Sequence, residues 1–186
     1  MGFRPMRRGK QELDREECIG ILRRGTSGVL ALDGDEGYPY AVPMSYAYDP
    51  GGIDAADAPL PDGEPACGPG RIVFHSALDG HKIDAIRCDP KASFCVIGQD
   101  DVVPEKYTTL YRSVIAFGRI RILEDDAEKR AAAELLGRRY RPEAAPEREA
   151  DEIGRFWSSL CMFELRIEHL AGKEARELAK GRTSSC

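Results

Sequence analysis

The chain has 186 residues, with 27 Lys and Arg against 32 Asp and Glu, for a formal charge of −5. A mildly acidic chain lacks the Lys and Arg surplus that neutralises nucleic-acid phosphates, and the same deficit disfavours an anionic membrane surface. Hydrophobic residues at 42% and charged residues at 32% are ordinary globular values, so the length fits one domain with one sizeable core.

Residues 1–12 form a basic, polar arm, expected to be mobile. The arm lacks the apolar centre of a signal peptide, and no run approaches the roughly 18 apolar residues of a membrane helix. A cytoplasmic location is therefore expected. The cysteines are Cys18, Cys67, Cys88, Cys95, Cys161 and Cys186. None forms a C-x-x-C pair and no spacing matches a zinc site, so they read as reduced, unconnected thiols.

Asp14 is a plausible N-cap for a helix through Arg24, with Cys18, Ile19 and Leu22 on its apolar face and Gly25 as its stop. Strands are expected over Ser27–Asp33 and Tyr38–Tyr48, joined by the hairpin turn Asp33-Gly34-Asp35-Glu36-Gly37. Residues 49–70 carry Pro and Gly too densely for a regular element and read as an inserted surface loop.

A short strand Arg71–His75 follows, then a helix over Asp79–Cys88 ended by Asp89-Pro90. Ser93–Gly98 is the next strand, residues 100–107 a polar loop, and Tyr111–Leu123 a long strand. Gly118 inside that strand suggests a bulge or a close backbone approach. Asp125 opens a helix to about Tyr140, with capping-box spacing to Glu128. Residues 141–150 read as loop, 151–157 as a helical turn, and Leu160–Ile167 as the last strand. The remainder, 172–186, is a polar tail. Six short strands without steady βα alternation give a mainly β, α+β chain, naturally packed as an antiparallel barrel with peripheral helices.

The most informative stretch is His75-Ser76-Ala77-Leu78-Asp79-Gly80-His81-Lys82, which crosses from a strand into a helix. A helix N-terminus presents unpaired N–H groups and favours negative charge. Ser76 adds a hydroxyl, Lys82 a point charge, and Gly80 a close approach to backbone, which together describe a phosphate cradle. A plainer reading also fits, in which Ser76 or Asp79 simply caps the helix and Lys82 lies on its solvated face. His75 alone at a strand end is consistent with a structural role, and His169 reads as surface.

Tyr40-Ala41-Val42-Pro43-Met44-Ser45-Tyr46, Ile72-Val73-Phe74-His75-Ser76-Ala77, Gly80-His81-Lys82 and Tyr111-Arg112-Ser113-Val114 with Gly118 form an ordered set. In that order and spacing the chain resembles the pyridoxamine 5′-phosphate oxidase-like superfamily, in particular its 5-nitroimidazole-resistance flavoproteins. The resemblance implies a six-stranded Greek-key split β-barrel and a homodimer with FMN at the subunit interface. It places Val42, Pro43, Met44 and Ser45 beside the flavin ring, and His75, Ser76, His81 and Lys82 at the phosphate. It has Ser113 and Val114 closing the cleft or arriving from the partner subunit. Pro43 has no N–H for a ladder and belongs at an edge or beside a ligand. Trp157, the only tryptophan, suits either packing or stacking near the flavin. The C-terminal arginine and tryptophan arrangement of vitamin B6 oxidases is not evident after Leu160.

The implied activity is that of an FMN-dependent oxidoreductase, reduced by NAD(P)H and passing electrons to a small acceptor such as a nitroaromatic, a quinone or oxygen. His75 is the side chain expected to take a direct part, with an ordinary pKa suited to proton transfer. A non-catalytic FMN carrier or sensor stands beside this reading, as does a haem- or F420-binding barrel in which His75 or His81 would ligate. The residues themselves show no metal cluster and no Ser-His-Asp ordering.

Overall fold

The computed structural model describes residues 2–51 and 68–183. Helix α1 (Arg15–Arg24) starts where expected, because Asp14 and Glu17 form a reciprocal capping box, with Glu17 N–H donating to Asp14 Oδ1 at 2.8 Å. Its C-terminal carbonyls are met from two sides. The Tyr46 hydroxyl donates to Leu22 C=O at 2.8 Å, and the Arg139 guanidinium donates to Arg24 and Gly25 C=O at 3.0 Å.

Among the described residues, eight strands form one antiparallel sheet. β1 (Glu12–Leu13), β2 (Ser27–Asp33), β3 (Pro39–Ser45) and β4 (Ala47–Asp49) come first. β5 (Arg71–Ser76), β6 (Lys91–Val103), β7 (Thr108–Ile122) and β8 (Cys161–Glu174) complete it. The order is β3-β2-β6-β7-β8-β5-β4, with β1 on β8. Six strands were expected, and two are gained. The run 38–48 splits at Tyr46, because the chain leaves its ladder with β2 there and joins one with β5. The two ends of the sheet order are therefore one residue apart in the chain. The sheet must roll until its edges meet, yet no ladder joins β3 to β4 among the described residues.

Tyr46 is fully buried and packs its edge against Phe94, with centroids 4.9 Å apart. Phe94 meets Phe74 at 5.0 Å and Phe74 stacks on Phe163 at 5.2 Å, so four aromatics fill the rolled interior. Cys18, Ile21 and Leu22 of α1, with Ile83 and Ile86 of α2 (His81–Cys88), pack into the same core. A second cluster lies outside β5 and β8, under α3 (Asp126–Tyr140), where Val73, Leu123 and Met162 meet Ala132, Ala133 and Leu136. The first five residues of β8 are buried on both faces for this reason. Glu164 lies among them, fully buried and held by Arg71 at 2.8 Å, Arg121 at 2.7 Å and Arg166 at 3.0 Å.

Several boundaries differ from the sequence expectation. Residues 100–107 are a hairpin extension of β6 and β7, since the ladder runs from Asp100–Tyr111 out to Val103–Thr108. The tail is ordered through β8 and α5 (Arg176–Thr183), and residues 184–186 lie outside the described part. α4 (Pro146–Phe156) starts earlier than expected, with Pro146 in its first turn. The N-terminal arm is largely exposed, but its Phe3 stacks on His169 at 4.3 Å and lies 5.5 Å from Phe117. His169 is thus half-buried under an aromatic ring. Gly118 fulfils its expectation, since the register shifts between Phe117 and Gly118 and a Cβ there would lie 1.8 Å from Arg166 C=O. Asp125 caps α3, but Glu128 turns away to Arg121, at 2.8 Å.

Residues 52–67 of the inserted loop lie outside the described residues, as do Cys67 and Cys186. Cys18, Cys88, Cys95 and Cys161 are all free thiols. No helix among the described residues is long and apolar enough to cross a membrane.

Candidate functional site

The corner between β5 and α2 is built by strand alternation. Ile72 and Phe74 point into the core, so Ser76 faces the same way, while Val73 and His75 face outward toward α3. Ser76 is opposite Cys161, and His75 is opposite Met162. The expected phosphate residues therefore straddle the two faces of one strand end.

Neither Ser76 nor Asp79 caps α2. Ser76 Oγ donates to Ala77 C=O at 2.8 Å, and Gly80 is the N-cap without any side-chain hydrogen bond. The helix begins at His81, two residues later than expected. Gly80 sits at φ +111°, a conformation that favours glycine, and a Cβ there would meet nothing within 4 Å. Among the described residues the first turn is thus uncapped and open.

Lys82 stands beside this opening. Its Nζ lies 3.5 Å from Met44 Sδ, and among the described residues no carboxylate lies within ion-pair distance. Partial burial holds its pKa below the ordinary lysine value. His75, close enough to feel the same ammonium, is pushed below its ordinary 6.5 by burial first and by Lys82 second. Its imidazole is therefore held toward the neutral form. Among the described residues, the site thus combines a half-buried cation that has no counter-ion with the free N–H groups of a helix start.

His81 belongs to a neighbouring contact. Its ring stacks on Tyr40 at 4.1 Å, and Nε2 lies 3.5 Å from Asp35 Oδ2. Tyr40 was missed in the sequence. Its signal was period-2 alternation, since Tyr40, Val42 and Met44 share one face of β3. Val42 and Met44 pack against the core, whereas Pro43 and Ser45 are exposed on the outer face. β3 ends the sheet order, so Pro43 occupies the edge position its missing N–H requires.

Ser113 and Val114 sit on the central strand β7. Val114 is fully buried in the core, paired with Val96 and Gly172, so its side chain is structural within one chain. Ser113 is half-buried on the opposite face, between Ile97 and Lys173. Trp157 lies at the end of α4 with Lys129 Nζ 4.2 Å over its ring and Arg130 at 4.9 Å, so packing and cation–π contact account for it. No group of three or more His, Cys, Asp or Glu side chains suits a metal among the described residues.

A rolled antiparallel sheet with an uncapped strand-to-helix corner beside its edge strand is the architecture set against known proteins. The chain belongs to the pyridoxamine 5′-phosphate oxidase family, whose model matches residues 14–174. Comparison with curated proteins gives no significant match. Among solved structures, a conserved hypothetical protein, Rv2991 from Mycobacterium tuberculosis, is similar at TM-score 0.69 and 18% identity over 94% of this chain and 92% of that one. A candidate 5-nitroimidazole antibiotic resistance protein from Bacteroides thetaiotaomicron is similar at TM-score 0.66 and 18% identity, over 88% and 86%. An FAD- and haem-binding protein from Mycobacterium smegmatis is similar at TM-score 0.61 and 17% identity, over 93% and 80%. At these identities the likeness is one of fold.

Proposed function

We propose that this chain is a flavin-binding oxidoreductase, that FMN is the flavin, and that its phosphate sits at the corner from Ser76 to Lys82. The observation that carries the reading is Lys82, a half-buried ammonium with no carboxylate partner among the described residues, beside the uncapped first turn of α2. A phosphate monoester supplies the missing charge and accepts from the free N–H groups, and from the Ser76 hydroxyl once that turns away from Ala77 C=O. The family supports the reading, as does the M. smegmatis protein that binds FAD on the same fold. The rolled sheet whose edge strands meet at Tyr46 without a ladder suits a split barrel.

Bound flavin supplies two-electron chemistry, accepting from NAD(P)H and passing electrons to a small acceptor. The chain's own residues hold it. Lys82 and Ser76 anchor the phosphate, and β3 offers its edge to the ring. His75, held neutral, is positioned to hydrogen-bond an acceptor and to move a proton at its ring nitrogen. His81 is engaged with Tyr40 and Asp35, which disfavours it as a haem ligand.

A second copy of the chain fits the outer sheet face. Pro43, Val29, Cys95, Ile115 and Ala171 are consecutive cross-strand partners over five strands, and none of them is buried. Ile97, 64% exposed, extends this apolar row, and Ser113 lies on the same face. An apolar row of this reach suits a homodimer interface.

The test is the absorbance spectrum and mass of the chromophore released on denaturation. FMN, with bleaching by NADH or NADPH before release, is the expected result. Bound FMN that neither nucleotide bleaches would indicate a carrier or sensor, and a red-brown protein would indicate haem.

A further inference from the structure

Behind His75 lies an apolar recess of about 290 Å³, between α3, α4 and the outer face of β5 and β8. His75 and Met162, cross-strand partners, form its floor, and Leu136 of α3 faces Ile153 and Phe156 of α4 across it. Among the described residues its mouth is uncovered: Phe156 is 51% exposed and Tyr140 45%.

Three polar side chains reach the lining, and two are already engaged. The Tyr140 hydroxyl donates toward Thr26 and Tyr46 C=O and accepts from Tyr46 N–H at 3.1 Å. Glu152 stands at the rim, 62% exposed and 3.4 Å from Arg155. His75 alone has no hydrogen-bond partner among the described residues. An apolar cavity of about 150 Å³ lined by Leu, Ile and Phe holds a benzene, so the recess has room for a substituted ring or a fused bicycle. An anionic ring would enter without a counter-ion and would also pass the Glu152 carboxylate.

We infer that this recess is a binding site for an uncharged aromatic or quinonoid molecule that makes one hydrogen bond, to His75. That the occupant is the electron acceptor rests on the flavin reading, while its binding does not. His75 faces the recess and immediately precedes Ser76 in β5, so an occupant on the recess floor lies on the other face of the strand end whose corner carries Lys82. The depressed pKa of His75 agrees with a neutral partner for a neutral ligand.

The experiment is a calorimetric titration of the flavin-loaded protein with 2-naphthol and with 2-naphthoate, two redox-inert probes of one size and different charge. The expected result is a Kd for 2-naphthol at least tenfold below that for 2-naphthoate, with flavin absorbance retained. Ala133→Phe, which fills the recess, and Phe156→Glu, which charges its exposed mouth, should each weaken 2-naphthol at least fivefold. Flavin affinity should move less than twofold in either variant. Equal binding of the two probes, unchanged binding in Phe156→Glu, or release of flavin by 2-naphthol would overturn the inference. Flavin retained without 2-naphthol binding removes the recess alone. Binding of 2-naphthol to a protein that takes up no flavin keeps the recess and removes the acceptor role.

Discussion

At the scale of single residues, three positions decide what the corner does. Gly80 holds φ +111°, and no described residue stands where its side chain would, so the cost of substitution is backbone strain. Gly80→Ala should lose about 1–2 kcal/mol in chemical denaturation and weaken FMN retention with it. His75 should titrate below 6.5 by NMR, and Lys82→Gln should move its pKa upward by removing the nearby charge. The sign for stability follows. A base whose folded pKa is depressed contributes fully above the unfolded value near 6.5, and the contribution is lost as pH falls through the folded value. A His75 that titrates at or above 6.5 would contradict the placement. His75→Ala should bind FMN normally and lose turnover; unchanged turnover removes its direct role.

At the scale of elements, the buried Glu164 joins β5, β7 and β8 through Arg71, Arg121 and Arg166. Burial alone would raise its pKa, but the three guanidinium groups outweigh burial and hold it below the ordinary carboxylate value. Glu164→Gln leaves three arginines short of their shared anion and should cost about 3 kcal/mol by denaturant unfolding. A cost under about 0.5 kcal/mol would show that the network is not a joint of the sheet. Tyr46→Phe leaves Leu22 C=O without its donor and should cost about 1–2 kcal/mol.

These elements also show what the chain made legible. Helix α1 and its cap, Gly118 and the edge proline follow from local rules that act within a few residues, and all were readable. The split at Tyr46 was not, because only pairing with β5, distant in sequence, ends one ladder and starts another. The extension of β6 and β7 was hidden by Asp100, Asp101 and Glu105, whose polarity reads as loop when both strand faces meet solvent. At the corner, Lys82 and Ser76 were readable as a pair. The side each takes was not, nor were Tyr40 and the recess behind His75, since strand-face assignment needs the helix packed outside it.

At the scale of the molecule, the exposed row through Val29 and Ile97 is the face a second copy would cover. Val29→Glu should shift the protein from dimer to monomer by light scattering and lower FMN retention, since the cleft would lose a wall. A fully dimeric Val29→Glu would place the interface elsewhere. Phe3 of the N-terminal arm bears on the same face. Phe3 lies over His169, the partner of Phe117, in the row adjacent to this one. Family membership, the open corner and the unpaired ammonium point the same way. The affinity for FMN of Lys82→Glu against wild type and Lys82→Arg tests this most directly. The predicted result is a loss of at least about a hundredfold for Glu with unfolding free energy unchanged, and a loss under about tenfold for Arg, as expected for one charge-assisted phosphate bond. Equal affinity in Lys82→Glu and wild type would contradict it.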